Sequence, residues 1–353
     1  MQAVSRLPKL FSSARGTQLF EVKSGMAAAD GLGGEEAASI IRMDPPAHNR
    51  HRKLVIGAFA PRLIQAMEPR IREIALETLE AIDASEIVDF VDGIAAPLPM
   101  IVIAELLGVP RSDLDTFRRW SDGMIELGGG MITQSSVTVV RELLDYVAQV
   151  TDERRRAPRN DLISQLTRID VDGERLSDLE IGKFCMTLLV AGNETTRNLV
   201  AGGALALLEN PAARALLCAE PARIEGAVEE MLRWVTPVRN FVRCATATHE
   251  LRGKTVREGD YLALFYASAN RDEDVFGSDA DRFDIGRENA RRHLAFGFGE
   301  HLCIGASLAR LEARVMFEEL LARWPRFELA GEPKPLLSSL MQGLVELPVK
   351  LSA

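Results

Sequence analysis

Cysteine is scarce and scattered. Only four of the 353 residues are cysteine, at positions 185, 218, 244 and 303, with no Cys-x-x-Cys pair among them. That usage excludes a disulfide framework and a cysteine-rich zinc module, and it is the pattern of a reducing compartment. An excess of positive charge is also lacking. Forty-two Lys and Arg stand against 51 Asp and Glu, a formal net charge of -9, so no basic face for nucleic acid is available and any basic partner surface must be local. Long apolar runs are absent. The best stretch, Gly93 to Val109, is interrupted by Pro97, Pro99 and Glu105, and Met1 to Leu10 has no signal-peptide core. These absences lead to the expectation of a soluble cytoplasmic protein without a membrane span. There is no repeat, low-complexity tract or Pro/Ser-rich linker either, so residues 1–353 are expected to form one domain.

What is present is a chain of 47% hydrophobic and 26% charged residues, the balance of a globular protein with a large core. Helical periodicity dominates. Leu63–Ile82, Arg141–Arg156, Leu179–Leu208, Ile224–Trp234 and Ser307–Trp324 each place apolar residues three or four apart with charges between them. Strand signals are confined to Phe241–Thr246, Thr255–Val256 and Tyr261–Tyr266, separated by Gly253 and Glu258-Gly259-Asp260, which predicts one small sheet. Asn270 to Arg292 has little period and reads as an ordered, irregular connection. The fold class is mainly α with a small β-sheet.

The densest signal is Phe296-Gly297-Phe298-Gly299-Glu300-His301-Leu302-Cys303-Ile304-Gly305, directly before an amphipathic helix. Its glycines permit tight turns and close approach to something flat. A cysteine ahead of a helix N-terminus sits among unpaired N–H groups and a positive dipole end, which favour the thiolate and metal ligation. Zinc is disfavoured, because His301 and Cys303 have no second ligand pair at a usual spacing. A cysteine hydrolase is not supported, because no signal arranges His and Asn/Asp partners for Cys303. A second feature is Ala191-Gly192-Asn193-Glu194-Thr195-Thr196, where an acid and two hydroxyls interrupt a long apolar helix. A third is Glu230-Met231-Leu232-Arg233, an acid and a guanidinium three apart on one helix face. A fourth is Asp44-Pro45-Pro46-Ala47-His48-Asn49-Arg50-His51-Arg52, in which His48 and Arg52 share a face and suit a dianionic ligand.

The cysteine loop resembles the haem-binding signature of the cytochromes P-450, the haem-thiolate monooxygenases, with every fixed position of Phe-Gly-x-Gly-x-His-x-Cys-x-Gly matched. The resemblance runs in order from about Phe11 to Leu347-Pro348-Val349 and includes Ala269-Asn270-Arg271-Asp272. It implies haem b as cofactor, Cys303 as the iron's axial thiolate, Phe296 packed beside the sulfur, and His301 bonding a propionate. Ala191 to Thr196 is similar to the family's oxygen-activation motif. By that likeness a Gly makes room beside iron, Thr195 opens the helical ladder and orients water, and Glu194 relays protons toward dioxygen. Glu230 and Arg233 match the family's Glu-x-x-Arg pair, and Asp281-Arg282-Phe283 implies Arg282 as the third member of a structural triad. His48, Arg52 and Arg243 would be propionate donors.

Beyond the site, the resemblance implies O2 as co-substrate and a ferredoxin-type electron donor with its reductase. Arg42, Arg50, Arg52, Lys53 and Arg62 form a basic concentration expected to dock that donor. A hydrophobic small-molecule substrate is implied, with a pocket drawn from Val22–Ile41, Met124–Ile132, the helix before Gly192, Pro237–Phe241 and the turn near Met341. Ala191–Asn198 and Arg233-Trp234, followed by Pro237-Val238-Arg239-Asn240, resemble actinobacterial members acting on steroids and sterol side chains; terpenoid-like compounds are the neighbouring class. Family members usually carry several dozen more residues ahead of Leu10-Phe11-Ser12-Ser13-Ala14-Arg15. Their first helix and outer strands are expected to be missing here, leaving a sheet edge uncovered. Two other readings remain open at this point: a haem-thiolate enzyme that uses peroxide or rearranges its substrate, and a truncated haem-binding remnant without turnover.

Overall fold

The computed structural model describes residues 1–24, 39–128, 133–170 and 173–352. Its chain is mostly helical. The central helix, Asp178–Glu209, begins at a capping box in which Ser177 accepts the Glu180 N–H and the Glu180 carboxylate accepts the Ser177 N–H. It ends at Asn210, before Pro211, which cannot continue the ladder. Thirty-two residues make it about 48 Å long, and it packs against Gln134–Arg156, Pro97–Leu107, Ile224–Val235 and Ala306–Arg323. Leu189, Leu199, Val200 and Leu207 of the central helix join Ile103, Met231, Val315 and Phe317 in one continuous core. Gly202 and Gly203 permit the close approach, since a Cβ on the first would meet Val235 at 2.7 Å and on the second Met231 and Phe317 at 2.9 Å.

Three of the five predicted helices occur within one residue of their sequence bounds, and a fourth, Arg141–Arg156, begins seven residues earlier, at Gln134. The fifth, Leu63–Ile82, is two helices, Pro61–Ala66 and Glu68–Glu80. Pro69 lies at the start of the second, where its missing N–H is harmless; inside one long helix it would have broken the ladder. The run from 93 to 109 is a core helix, Pro97–Leu107, closed by Gly108 at φ 79°.

The strands form several small sheets. Asn240–Ala245 lies between Phe11–Ser12 and Tyr261–Phe265, both antiparallel, with Phe11 opposite Ala245 and Arg243 opposite Leu262. Lys254–Val256 does not join this sheet as expected. It pairs with His249–Leu251 across a tight turn, where Arg252 and Gly253 both have positive φ. A second three-stranded sheet orders Val88–Asp89, Pro348–Ser352 and Arg326–Leu329. The segment 270–292 is irregular apart from short turns of helix at Glu273–Phe276 and Ala290–Arg292.

Candidate active site

The cysteine loop closes on itself through the Cys303 N–H, which donates to the Phe296 carbonyl at 2.9 Å. Gly297 and Gly299 hold φ of 74° and 75°, a region a side chain rarely adopts. A Cβ on Gly299 would also run into the Ser5 carbonyl. Cys303 faces a large cavity between the central helix and the helix Ala306–Arg323. Its wall is apolar along Ile103, Phe184, Leu188 and Leu199 and polar at the end that carries Arg52 and Arg243.

One end of the cavity is cationic. His48 and Arg52 reach it from one face of the helix Ala47–Val55, Arg243 from the strand beside Phe241, and His301 from the cysteine loop. The His48 and His301 rings lie 4.3 Å apart. His301 Nε2 is 3.1 Å from Ser13 Oγ, and Ser13 is itself fixed by its N–H donating to Asp44 at 2.7 Å. Burial lowers the His48 pKa, and burial among Arg243, His48 and Arg52 pushes His301 down to about 3, so both rings are neutral near pH 7. Arg52 donates to the Leu302 carbonyl at 2.7 Å and Arg243 to the Val242 carbonyl at 2.8 Å. Arg243 is only 7% exposed, and among the described residues neither arginine makes an ion pair. A buried guanidinium without a counter-ion is costly, so the site fits a ligand carrying carboxylates at this end. Haem, with two propionates and an iron that takes a thiolate, meets that requirement.

Cys303 is open to the cavity. The protein packed around it raises its pKa, while the Gly305 N–H and the charges of Arg52 and Arg310 favour the thiolate, the effects expected from the loop.

Thr195 lines the opposite wall, and its hydroxyl donates to the Ala191 carbonyl at 2.6 Å inside an unbroken helix. It therefore does not open the ladder here. Gly192 serves close packing: a Cβ would meet Ile103 at 2.8 Å. Glu194 lies off the cavity wall, 5% exposed, with its carboxylate 3.8 Å from Arg197 and its pKa raised by burial. The carboxyl on the wall is Glu312, which the sequence reading passed over. It is 1% exposed, has no partner for Oε1, and burial pushes it up to about 8, opposed by the neighbouring Thr196 hydroxyl. Its position nine residues after Cys303, in phase with the cavity-lining Leu308, was the available signal. Tyr266, 4% exposed, also lines the cavity and was not foreseen.

The Glu230–Arg233 pair is fully buried and bidentate at 2.7 Å for both contacts. Its third member is not Arg282. The Arg282 side chain is exposed and only its carbonyl takes part, accepting from Arg233 at 2.8 Å. Arg287 supplies the guanidinium, 3.5 Å from Glu230. Asp284 explains the displacement: its N–H donates to Glu230 and its carboxylate accepts the Gly286 N–H, folding the chain back so that the residue after the turn reaches the carboxylate.

The basic concentration is also dispersed. Arg50 pairs with Glu174 and Glu180 at 2.5 and 2.8 Å, Arg42 pairs with Glu21, and Arg52 turns into the cavity. Of the expected pocket segments, 25–38 and 129–132 lie outside the described residues. Met124 and Met341 are buried off the cavity, while Ile40, Ile41, Pro237, Val238 and Phe241 line it.

Glu229, beside the triad, accepts from Arg310 at 2.7 and 3.1 Å and from His293 at 3.0 Å, and these partners hold its pKa at about 2 although burial opposes them. An acid lowered from 4.5 to about 2 contributes about 3 kcal/mol, present above pH 4.5 and lost as pH falls toward 2. Glu229→Gln is therefore expected to flatten the acid limb of the stability profile between pH 4.5 and 2, measured by urea unfolding; an unchanged limb would remove this linkage.

Comparison with known proteins matches the geometry. The family description "Cytochrome P450" matches residues 110–352. The chain is 37% identical to a steroid C26-monooxygenase of Mycobacterium tuberculosis over 98% of this chain and 90% of that protein. It is 40% identical to cytochrome P450 107B1 of Saccharopolyspora erythraea, covering 89% of this chain and 77% of that one. Among solved structures, CYP109E1 from Bacillus megaterium in complex with testosterone has a TM-score of 0.88 at 34% identity, covering 100% and 91% of the two chains. CYP109Q5 from Chondromyces apiculatus has a TM-score of 0.89 at 38% identity, covering 100% and 88%. With the cysteine loop opening into a cavity that ends in two arginines without an ion pair among the described residues, this chain belongs to the cytochrome P450 family and is a haem-thiolate monooxygenase.

Proposed function

We propose that Cys303 is the axial ligand of haem b, that Arg243, Arg52, His48 and His301 receive its propionates, and that the chain hydroxylates a hydrophobic small molecule of steroid, sterol or terpenoid type. The observation that carries this is the buried, unpaired Arg243 at one end of the cavity onto which Cys303 opens. Two carboxylates there neutralise the guanidinium groups of Arg52 and Arg243, with His48 and His301 as hydrogen-bonding partners. An anion reaching His301 competes with Ser13 for its Nε2. Haem supplies the iron at which O2 is reduced and one oxygen atom is inserted into a C–H bond.

The chain's own residues supply placement and protons. Ile40, Ile41, Phe59, Ile103, Phe184, Leu188 and Val238 form an apolar wall on the central-helix side, which holds an apolar substrate and excludes water. Thr187 is its polar exception, bonded to Ser39 at 2.9 Å. Glu312 retains its proton near neutral pH and stores it at the wall beside Thr196, while Thr195 orients a hydroxyl across from Cys303. Glu194, the acid of the oxygen-activation motif, lies behind this wall with its carboxylate 3.8 Å from Arg197. The steroid-directed names and the testosterone complex among the relatives support the substrate class. A ferredoxin-type donor with its reductase supplies electrons. The exposed Leu302, next to Cys303, and the exposed Arg62 offer it a meeting surface; Arg50, already offset by two glutamates, contributes little.

The carbon-monoxide difference spectrum of the reduced chain tests this reading, followed by titration with steroids and terpenoids. A thiolate-type Soret band and a low- to high-spin shift are the expected results. A band of neutral axial ligation overturns the ligand assignment, and no shift with any apolar compound overturns the substrate class. Thr195→Ala is expected to keep the spectrum and go on consuming reductant, with less product per electron pair. Wild-type coupling in that variant would remove Thr195 from the proton path.

A further inference from the structure

Glu230 explains how the irregular segment 270–287 is anchored, but the carboxylate immediately before it holds something else. Glu229 grips the two ends of the cysteine loop. On one side His293, three residues before Phe296, donates from Nε2 at 3.0 Å. Its tautomer is fixed, because Nδ1 accepts the Ala295 N–H at 3.1 Å and so carries no proton. On the other side Arg310, seven residues after Cys303, forms a bidentate pair with Glu229. Arg291, mostly exposed, reaches only 4.0 Å. Glu229 is 5% exposed and His293 8%, while the Arg310 side chain, 37% exposed, closes the arrangement toward solvent.

Between the two grips lies Phe296. The Arg310 guanidinium sits over its ring at 4.5 Å from the centroid, and the His293 ring is 5.7 Å away at 52°. The Phe296 carbonyl accepts the Cys303 N–H, and both residues face the cavity. One carboxylate thus holds both flanks of the aromatic ring whose carbonyl closes the cysteine loop and balances the guanidinium laid across that ring. With Glu229 ionised, its charge and that of Arg310 cancel. Removing either one leaves a net charge within reach of Cys303, on which the Arg310 charge acts.

We propose that Glu229, through Arg310 and His293, is a positioning residue that sets the electron-donating strength of the Cys303 sulfur by holding Phe296 and cancelling the Arg310 charge. The inference rests on haem ligation by Cys303. It makes a signed prediction that a purely structural clamp does not. Reduction adds negative charge at the iron. Glu229→Gln leaves Arg310 uncompensated and should ease reduction, whereas Arg310→Gln leaves Glu229 uncompensated and should oppose it.

The experiment is spectroelectrochemical titration of haem-loaded wild type, Glu229→Gln, Arg310→Gln and the conservative Glu229→Asp. Shifts of opposite sign are expected for the two glutamine variants, each about tenfold in the reduction equilibrium, which is about 59 mV for one electron. Glu229→Asp should return most of the way to wild type. If Glu229→Gln does not load, the sign of the Arg310→Gln shift decides. Midpoints equal to wild type, or both shifted the same way, overturn the proposal even where stability falls. Wild type with neutral axial ligation overturns the ligand assignment, and this inference with it.

Discussion

Cys303→Ser is expected to abolish the thiolate-type Soret band of the reduced, carbon-monoxide-bound protein and to abolish hydroxylation, while the helical content stays at the wild-type level. The two halves of this expectation have different physical origins. The sulfur contributes little to packing, because Cys303 faces the cavity and its backbone N–H, not its side chain, closes the loop on Phe296. Replacing Sγ by Oγ should therefore cost no more than about 1 kcal/mol of stability. The chemistry has no substitute. Among the described residues no other cysteine lines the cavity: Cys185 and Cys244 are buried elsewhere, and Cys218 lies near the Pro325 carbonyl. A serine hydroxyl does not provide the soft, electron-donating ligand that a thiolate does. Circular dichroism together with the difference spectrum separates the two effects. A serine variant that keeps the thiolate-type band would move the ligand assignment away from Cys303.

How much of this was legible beforehand divides by the range of the interactions. The cysteine loop is a local object whose turns, N–H groups and following helix are written in ten consecutive residues, and it was read as it stands. The convergence of His48, Arg52, Arg243 and His301 came from resemblance and is matched by the cavity, because a helix face and alternate strand positions leave little freedom once their elements are placed. Errors arose where an irregular chain decides which side chain arrives. Arg282 and Arg287 lie in the same segment, and nothing periodic distinguishes them; only the Asp284 turn puts Arg287 against Glu230. Glu194 and Glu312 show the same limit on helices. A one-residue step rotates a side chain by about 100°, enough to place Thr195 on the wall and Glu194 behind it. The Cys303 thiol shows a limit of another kind. Dipole and cation effects are visible in sequence, but what opposes them depends on everything packed around the loop.

Arg233→Ala is expected to be the most destabilising single change in the chain. Arg233 is 0% exposed and uses its guanidinium fully: two bonds to Glu230 and one each to the carbonyls of Asn270, Ala280 and Arg282, all at 2.7–2.8 Å. These carbonyls span the irregular segment, which has no ladder of its own to stabilise it, so one side chain replaces the hydrogen bonds that a sheet would have provided. Alanine leaves the buried Glu230 with the Asp284 N–H at 2.8 Å and Arg287 at 3.5 Å, and it takes the guanidinium from the Asn270 and Ala280 carbonyls, while the Arg282 carbonyl keeps Arg287 at 3.2 Å. Breaking a buried pair in this way costs about 3–5 kcal/mol, a large share of the roughly 5–15 kcal/mol by which domains are stable. Arg233→Lys keeps the charge but has three donors for the five acceptor atoms, so it should recover only part of the loss. The segment leads directly into His293 and the cysteine loop, so haem retention should fall in the same order as the unfolding midpoint: wild type, lysine, alanine. If alanine lowered the midpoint no more than a typical surface substitution, the triad would not be what fixes this half of the site.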